Sequence, residues 1–497
     1  MKLPGMVRRG AIRAGCRGVC AAALAACLLA PAAAPAAESS PNVERLASIP
    51  EVRTAISINF IEHTMFVSTV HGLYAYDVSS PARPSLLGSF NLPVWENEDV
   101  DVDPVRKRVF ISRDPRGFTS PATPGSFPVG AVHVLDVSDP RTIRQVGFFT
   151  LPAGHTSTCV NRCDFVWTAG PAKAIDQPAD WKGRPVFATD VRDPADPKPC
   201  PAPIDTARND GVTDYAHDVQ VDSRGVAWVS GAGGVRGYWT EGAHLNPLTG
   251  RVETATGCAP VPYGGSGTPD TATPSRFMHN SLRRPGPAKP ACSRHRGSRA
   301  KRRRCVRSLA RWTGAQTAGL PAGLSRDRVL YGTEENVTSD CEKSGRFTTY
   351  DLGGTFAGEG FRDTAQTKHR MRVLDTWTPQ GQDGASGCAS AHYFSARGDG
   401  VFANAFYEQG VRFLDVSDPR DIRQIGWYRP EDSNTWAAYW HDGLVYVADL
   451  QRGVDILAFE GDPGDAMRRA APLEGRVRFT GMDAASGYMC PAKPPAG

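Results

Sequence analysis

The feature that most constrains the fold of this chain is a repeat. Residues 131–148 read AVHVLDVSDPRTIRQVGF and residues 411–427 read VRFLDVSDPRDIRQIGW, two near-copies about 280 residues apart. Weaker copies surround them: LYAYDVSSPARPSLLGSF from Leu73, VFATDVRDPADPKPC from Val186, MRVLDTWTP from Met371 and VDILAFEGDP from Val454. Each carries an alternating β-type run that ends in a turn of Asp, Ser and Pro, and in the fuller copies a second β-type run follows. Self-similarity of this kind marks a repeat architecture, in which each unit completes its core against its neighbours.

The apolar run ending in Asp, at residues 132–137 and 411–416, resembles the LVIVD-repeat proteins. The resemblance covers most of the chain beyond its N-terminal leader and is strong in three copies. It implies a β-propeller and says little about activity. Upstream of each copy lie two further β-type runs joined by a short Asp/Gly turn, as in HYFSARGDGVFANAFY at residues 392–407. Four strands per unit make a propeller blade.

Units begin near Ala55, Glu98, His155, His217, His279, His392 and Thr435. They predict an all-β propeller of seven four-stranded blades. The last unit, NTWAAYWHDGLVYVADLQRGVDILAF at residues 434–459, lacks an outer strand of its own. Residues 43–49 or 475–481 are expected to supply it and close the ring, which removes an exposed sheet edge. No long amphipathic pattern is present, so helices should be scarce.

Arg8, Arg9 and Arg13, the apolar residues 19–30 and the small residues ending in Ala36 and Ala37 read as a cleaved signal peptide over residues 1–37. Residues 38–497 would then form one propeller domain. Leu24, Ala25, Ala26 and Cys27 offer a lipobox, so lipoprotein anchoring at Cys27 is the alternative, while the twin arginines lack the usual surroundings of that export signal. Either route leads out of the cytoplasm, to a secreted, periplasmic or surface location, with no transmembrane segment in the mature chain.

Three of the 12 cysteines lie in the leader. Most of the other nine should pair in an oxidising compartment, Cys159 with Cys163 and Cys292 with Cys305 being the shortest loops. Much of the net charge of +5 falls in the leader and in the Arg- and Pro-rich residues 283–311. These belong to a basic insertion at about 283–325, read as a solvated surface loop. Export argues against nucleic acid as a partner.

Aligning the units by their first strands brings four of the 11 histidines to one position: His155 in HTSTCV, His217 in HDVQVD, His279 in HNSLRR and His392 in HYFSAR. Glu98, in EDVDVD, takes that position in the unit before them. First strands line a propeller's channel, so equivalent positions converge on its axis, and a ring of imidazoles at one mouth is predicted. The end of the second strand should bring Glu334, Glu335 and Asn336 close to His279, where Glu335, like Glu98, is an additional ligand or an orienting carboxylate.

Neutral imidazoles with a carboxylate suit Fe, Cu or Zn and suit Ca or Mg poorly. Seven-bladed enzymes that hold iron through four channel histidines offer an analogy of architecture alone. A polar ring that hydrogen-bonds loops or water is the structural alternative.

His63 and His441 are expected in exposed hairpins of the opposite face, and Trp436, Tyr439 and Trp440 between blades. The acidic run Glu96, Glu98, Asp99, Asp101 and Asp103 lacks the spacing of a calcium loop. Neither a phosphate loop, a nucleophile elbow nor HExxH occurs. Two functions follow. One is an extracellular scaffold whose top face binds a protein or glycan. The other is a metal-dependent, oxidoreductase-like enzyme built on His155, His217, His279 and His392.

Overall fold

The computed structural model describes residues 38–92, 94, 96–114, 130–170, 186–204, 215–232, 234–246, 249–263, 268–269, 277–283, 328–335, 345–352, 370–379 and 388–466. The leader, Cys27, Asn336, both members of the expected Cys292–Cys305 pair and all but Arg283 of the basic insertion at about 283–325 lie outside them.

The Asp of the repeat acts as a turn former. Asp77, Asp136 and Asp415 each accept the backbone N–H two residues on, from Ser79, Ser138 and Ser417, at 2.8 to 2.9 Å. Asp190 does the same for Arg192 at 3.1 Å. This side-chain turn reverses the chain after the strand that each of these four Asp residues ends. The outer-strand glycine of the repeat has a matching role: a Cβ on Gly88 would lie 2.4 Å from the Pro140 carbonyl oxygen, and one on Gly147 would lie 2.2 Å from that of Pro194. Each glycine thus makes room for the Asp/Pro turn of the next blade.

Seven antiparallel sheets result. Blade 1 holds Ala55–Ile61, Thr64–Thr69, Gly72–Asp77 and Ser85–Asn91, and blade 2 holds Asp101–Asp103, Arg108–Arg113, Gly130–Asp136 and Arg144–Leu151. Blade 3 runs Thr156–Val160, Phe165–Ala169, Phe187–Asp190 and Lys198–Pro199. Blade 4 runs Tyr215–Val221, Val226–Ala232, Gly234–Trp239 and Val261–Pro262, with a separate hairpin, Gly242–Leu245 and Val252–Ala255, inserted before its outer strand. Blade 5 consists of Met278–Arg283, Val329–Glu334, Phe347–Asp351 and Arg370–Trp377, plus a parallel fifth strand, Thr268–Pro269. Blade 6 comprises Phe394–Ala396, Val401–Ala405, Val411–Asp415 and Arg423–Tyr428.

Blade 7 has Thr435–His441, Leu444–Asp449 and Gly453–Phe459, and its fourth strand is the N-terminal Val43–Ile49. Of the two closures expected, residues 43–49 make it. Asn42 and Ser40 extend the clasp onto blade 6, through the carbonyls of Ile425 and Trp427. Among the described residues the one helical element is the single turn Pro50–Val52.

Sheets buried on both faces need an apolar layer at each interface. Seven such layers are present. Ile61 and Phe66 meet Val109 and Ile111 between blades 1 and 2, Val132 and Val134 meet Val166 and Val191 next, and Trp167 meets Val219 and Val229 after that. Trp228 meets Leu330 and Tyr350, and Tyr331 and Phe347 meet Phe402 and Leu414. Val411 and Phe413 meet Val445 and Leu457, and Tyr446 and Ile456 meet Met65 and Val67 of blade 1. The last layer shows that the ring is closed.

Two expectations need refinement. Arg283 is no part of a solvated loop: it ends a strand, is buried, pairs with Asp222 at 2.7 Å and lies over Trp228 and Tyr263. His63 is exposed as expected, but His441 is half-buried, because it stacks on Phe60 with ring centroids 3.9 Å apart. Trp440 packs between Phe413 and Phe459, as expected of an interblade aromatic.

Candidate metal centre

The first strand of a blade enters the sheet through a bulge. Pairing skips from Ala216 to Asp218 in blade 4, from Met278 to Ser281 in blade 5, from Thr435 to Ala437 in blade 7 and from Ala55 to Ser57 in blade 1. In blade 3, His155 and Thr156 both face Ala169, and in blade 6, His392 and Tyr393 both bond Ala405. A bulge leaves one residue unpaired and re-aims its side chain. The residues so placed include His155, His217, His279 and His392.

The four imidazoles converge, with ring centroids 4.5, 4.5 and 3.8 Å apart in blade order. They are at most 1% exposed, so the ring they form is enclosed. Glu98 lies in its middle. Its Oε1 is 3.2 Å from His155 Nε2 and 3.5 Å from His392 Nε2, and its Oε2 is 3.0 Å from His279 Nε2 and 3.6 Å from His217 Nε2. Glu335 joins from the end of the second strand of blade 5, with Oε1 3.9 Å from His392 Nε2 and accepting from the Tyr407 hydroxyl. Buried His/Glu sets of this kind have the donor types and spacing to hold a metal ion.

The outer nitrogens fix the tautomers. His155 Nδ1 donates to Asp114 Oδ2 at 2.8 Å, His217 Nδ1 to the His279 carbonyl at 3.2 Å and His392 Nδ1 to the Trp436 carbonyl at 2.6 Å. Carbonyls and carboxylates only accept, so each of these Nδ1 atoms carries the proton, and in the neutral form of such a ring it is a bare Nε2 that turns inward. His155 Nε2 and His217 Nε2 then face each other at 2.8 Å. Two lone pairs at that distance repel unless a cation or proton lies between them. Donors about 2.1 Å from one ion are about 3.0 Å apart at a right angle and about 3.4 Å apart at the tetrahedral angle; the separations here, 2.8 to 3.6 Å, bracket those values.

Electrostatics separate the two carboxyls. Burial opposes charge on Glu98, yet His155, His392 and His279 outweigh it and hold this carboxyl well below the ordinary range. Burial, reinforced by Glu98, pushes Glu335 well above it. His217 is driven well down by burial and by His279, and His279 is pushed down to about 3 by burial and His392. The lowered pKa values favour the neutral form of His217 and His279, the form in which an imidazole nitrogen ligates a transition metal.

Three participants were missed in the sequence. Asp114 and Glu96 form a further buried group with His155, and Tyr407 holds Glu335. Asp114 directly follows the second strand of blade 2, as Glu335 does in blade 5, so that shared position was the available signal. Gly170 holds the same place in blade 3, where a Cβ would lie 2.2 Å from that of His155. The rest of the acidic run does not join the centre: Asp99 binds Thr158, Asp101 binds Asn59 and the Cys159 N–H, and Asp103 caps a turn.

The expected Cys159–Cys163 disulfide is formed, and Cys200–Cys258 is a second. No helix among the described residues is long and apolar enough to cross a membrane.

No family model matches the chain, and no curated protein matches it. Solved structures similar to it are propellers. The Cps50 (Swd1) β-propeller domain of Myceliophteria thermophila has a TM-score of 0.48 and 9% identity, covering 84% of this chain and 100% of that one. The periplasmic gluconolactonase PpgL of Pseudomonas aeruginosa has a TM-score of 0.47 and 14% identity, covering 81% and 92%. The WD40 propeller domain of Doa1 has a TM-score of 0.44 and 7% identity, covering 85% and 98%. The propeller assignment rests on the sheets and interfaces described above.

Proposed function

We propose that the propeller axis holds one transition-metal ion, Fe, Cu or Zn, bound by the Nε2 atoms of His155, His217, His279 and His392 and by Glu98, and that the protein is an exported metal-dependent oxidoreductase. The observation that carries this reading is the 2.8 Å approach of two Nε2 atoms whose rings have committed their protons to Asp114 and to the His279 carbonyl. Glu335, held by Tyr407, stands beside the ligand set. Catalytic zinc sites use three protein ligands and an open position, so five protein donors favour a redox ion of higher coordination number. The two disulfides support export.

A second reading, an extracellular scaffold for a protein or glycan, is favoured by the inserted hairpin of blade 4. There Leu245 and Val252 are cross-strand partners and stand 63% and 71% exposed.

Elemental analysis of untagged protein from an exported preparation decides between them. Near-stoichiometric Fe, Cu or Zn in the native chain, lost when His217→Ala and His279→Ala are combined, is the expected result. Protein folded with metal supplied and still metal-free would leave the scaffold reading.

A further inference from the structure

In blade order the seven ring positions read Ile56, Glu98, His155, His217, His279, His392 and Trp436. Blades 2 to 6 each contribute a donor. Blades 7 and 1, adjacent through the closing seam, contribute the buried apolar side chains Trp436 and Ile56. Five donors leave one position of an octahedron, and the sector without a donor is the one these two side chains hold.

A second observation falls in the same sector. Trp436 Nε1 and Glu335 Oε2, neither of them assigned to the ion, are buried with no hydrogen-bond partner. Their residues are neighbours: the Trp436 ring is 5.0 Å from that of His392, and Tyr407, which bonds Glu335, lies 5.1 Å from His392 and 6.2 Å from Trp436, centroid to centroid. A buried polar atom left unsatisfied is destabilising, so the two together call for an occupant.

We infer that the sixth position opens between Trp436 and Ile56 and accepts a small uncharged diatomic ligand of the dioxygen class, with the indole N–H of Trp436 facing it. This rests on the metal reading of the channel. The enclosure sets the size, since Ile56, Glu98, Glu335, His392 and Trp436 are all at most 1% exposed. Charge sets the class: Glu96, Glu98, Asp114 and Glu335 already converge on this centre, so an entering anion meets carboxylates and two apolar walls.

Nitric oxide is the probe. Full-length protein is loaded anaerobically with Fe(II), its iron content is measured, and nitric oxide is titrated with electron paramagnetic resonance as the readout. A stoichiometric iron–nitrosyl signal is expected. Ile56→Phe, which narrows the sector, should weaken binding at least tenfold with iron content unchanged. Trp436→Phe keeps an aromatic ring, removes the N–H, and should speed nitric oxide release threefold or more; it decides the matter alone if the Ile56 variant fails to fold.

Iron retained without a nitrosyl signal, identical binding in both variants, or azide binding as tightly as nitric oxide would each overturn this inference and leave the metal centre standing. Failure to retain iron, copper or zinc would overturn the metal reading and this inference with it.

Discussion

Asp114 is the only one of the three Nδ1 partners identified on the ring that brings a full charge to an imidazole; His217 and His392 are oriented by carbonyls. A carboxylate behind a ligating histidine fixes its ring and raises its basicity, and loss of such a partner typically weakens metal affinity 10- to 100-fold. Asp114→Asn keeps the shape and removes the charge. It should lower metal affinity by about that factor in competition with a chromophoric chelator, with little change in folding. An unchanged affinity would show that Asp114 only fills space. At this scale the sequence was legible where residues recur at one place in the repeat, which exposed His155, His217, His279, His392 and Glu98. It was silent on Asp114 and Tyr407, and read Trp436 only as an aromatic packed between blades, because their roles depend on which loop ends meet across blades separated in sequence.

The bulged first strand and the residue after the second strand together build the centre, and the second position also concentrates buried carboxyls. Glu334 ends the second strand of blade 5, and burial, opposed by Arg346, pushes its pKa up to about 7 from an ordinary 4.5. Between those values the folded chain keeps a proton that the unfolded chain has lost, so its contribution to stability falls as pH rises. At about 1.4 kcal/mol per pH unit the full window is worth at most about 3 kcal/mol. Glu334→Gln removes this titration. In urea unfolding at a series of pH values, the variant should gain stability relative to the native protein from pH 5 to pH 7.5, and parallel curves would disprove the assignment. Elements were largely legible: all seven blade starts fall within three residues of the observed first strands, and the N-terminal closing strand has the bounds expected of it. The fifth, parallel strand Thr268–Pro269 and the two-residue outer strand Lys198–Pro199 were not, because so short a run carries no alternation to read.

For the whole molecule, the placement of the donors divides the ring. Glu98, His155, His217, His279 and His392 lie on blades 2 to 6, contiguous in the chain, whereas the clasp made by Val43–Ile49 belongs to blade 7. An ion that binds only the folded state stabilises what it bridges by RT ln(1 + [L]/Kd), about 4 kcal/mol at a thousandfold excess over Kd. That energy resists opening of blades 2 to 6 and contributes nothing where blades 7 and 1 part from each other, since neither supplies a donor. Local opening in proteins follows such differences in stability. Hydrogen exchange of metal-loaded protein should therefore show the amides of Gly453–Phe459 and Val43–Ile49 exchanging before those of Phe165–Ala169 and Val226–Ala232. Chelation should narrow the gap by accelerating the second group at least tenfold while leaving the first within about twofold. If chelation instead speeds exchange equally in all seven blades, the ion stabilises the ring as one cooperative unit and the seam is not an independent point of opening.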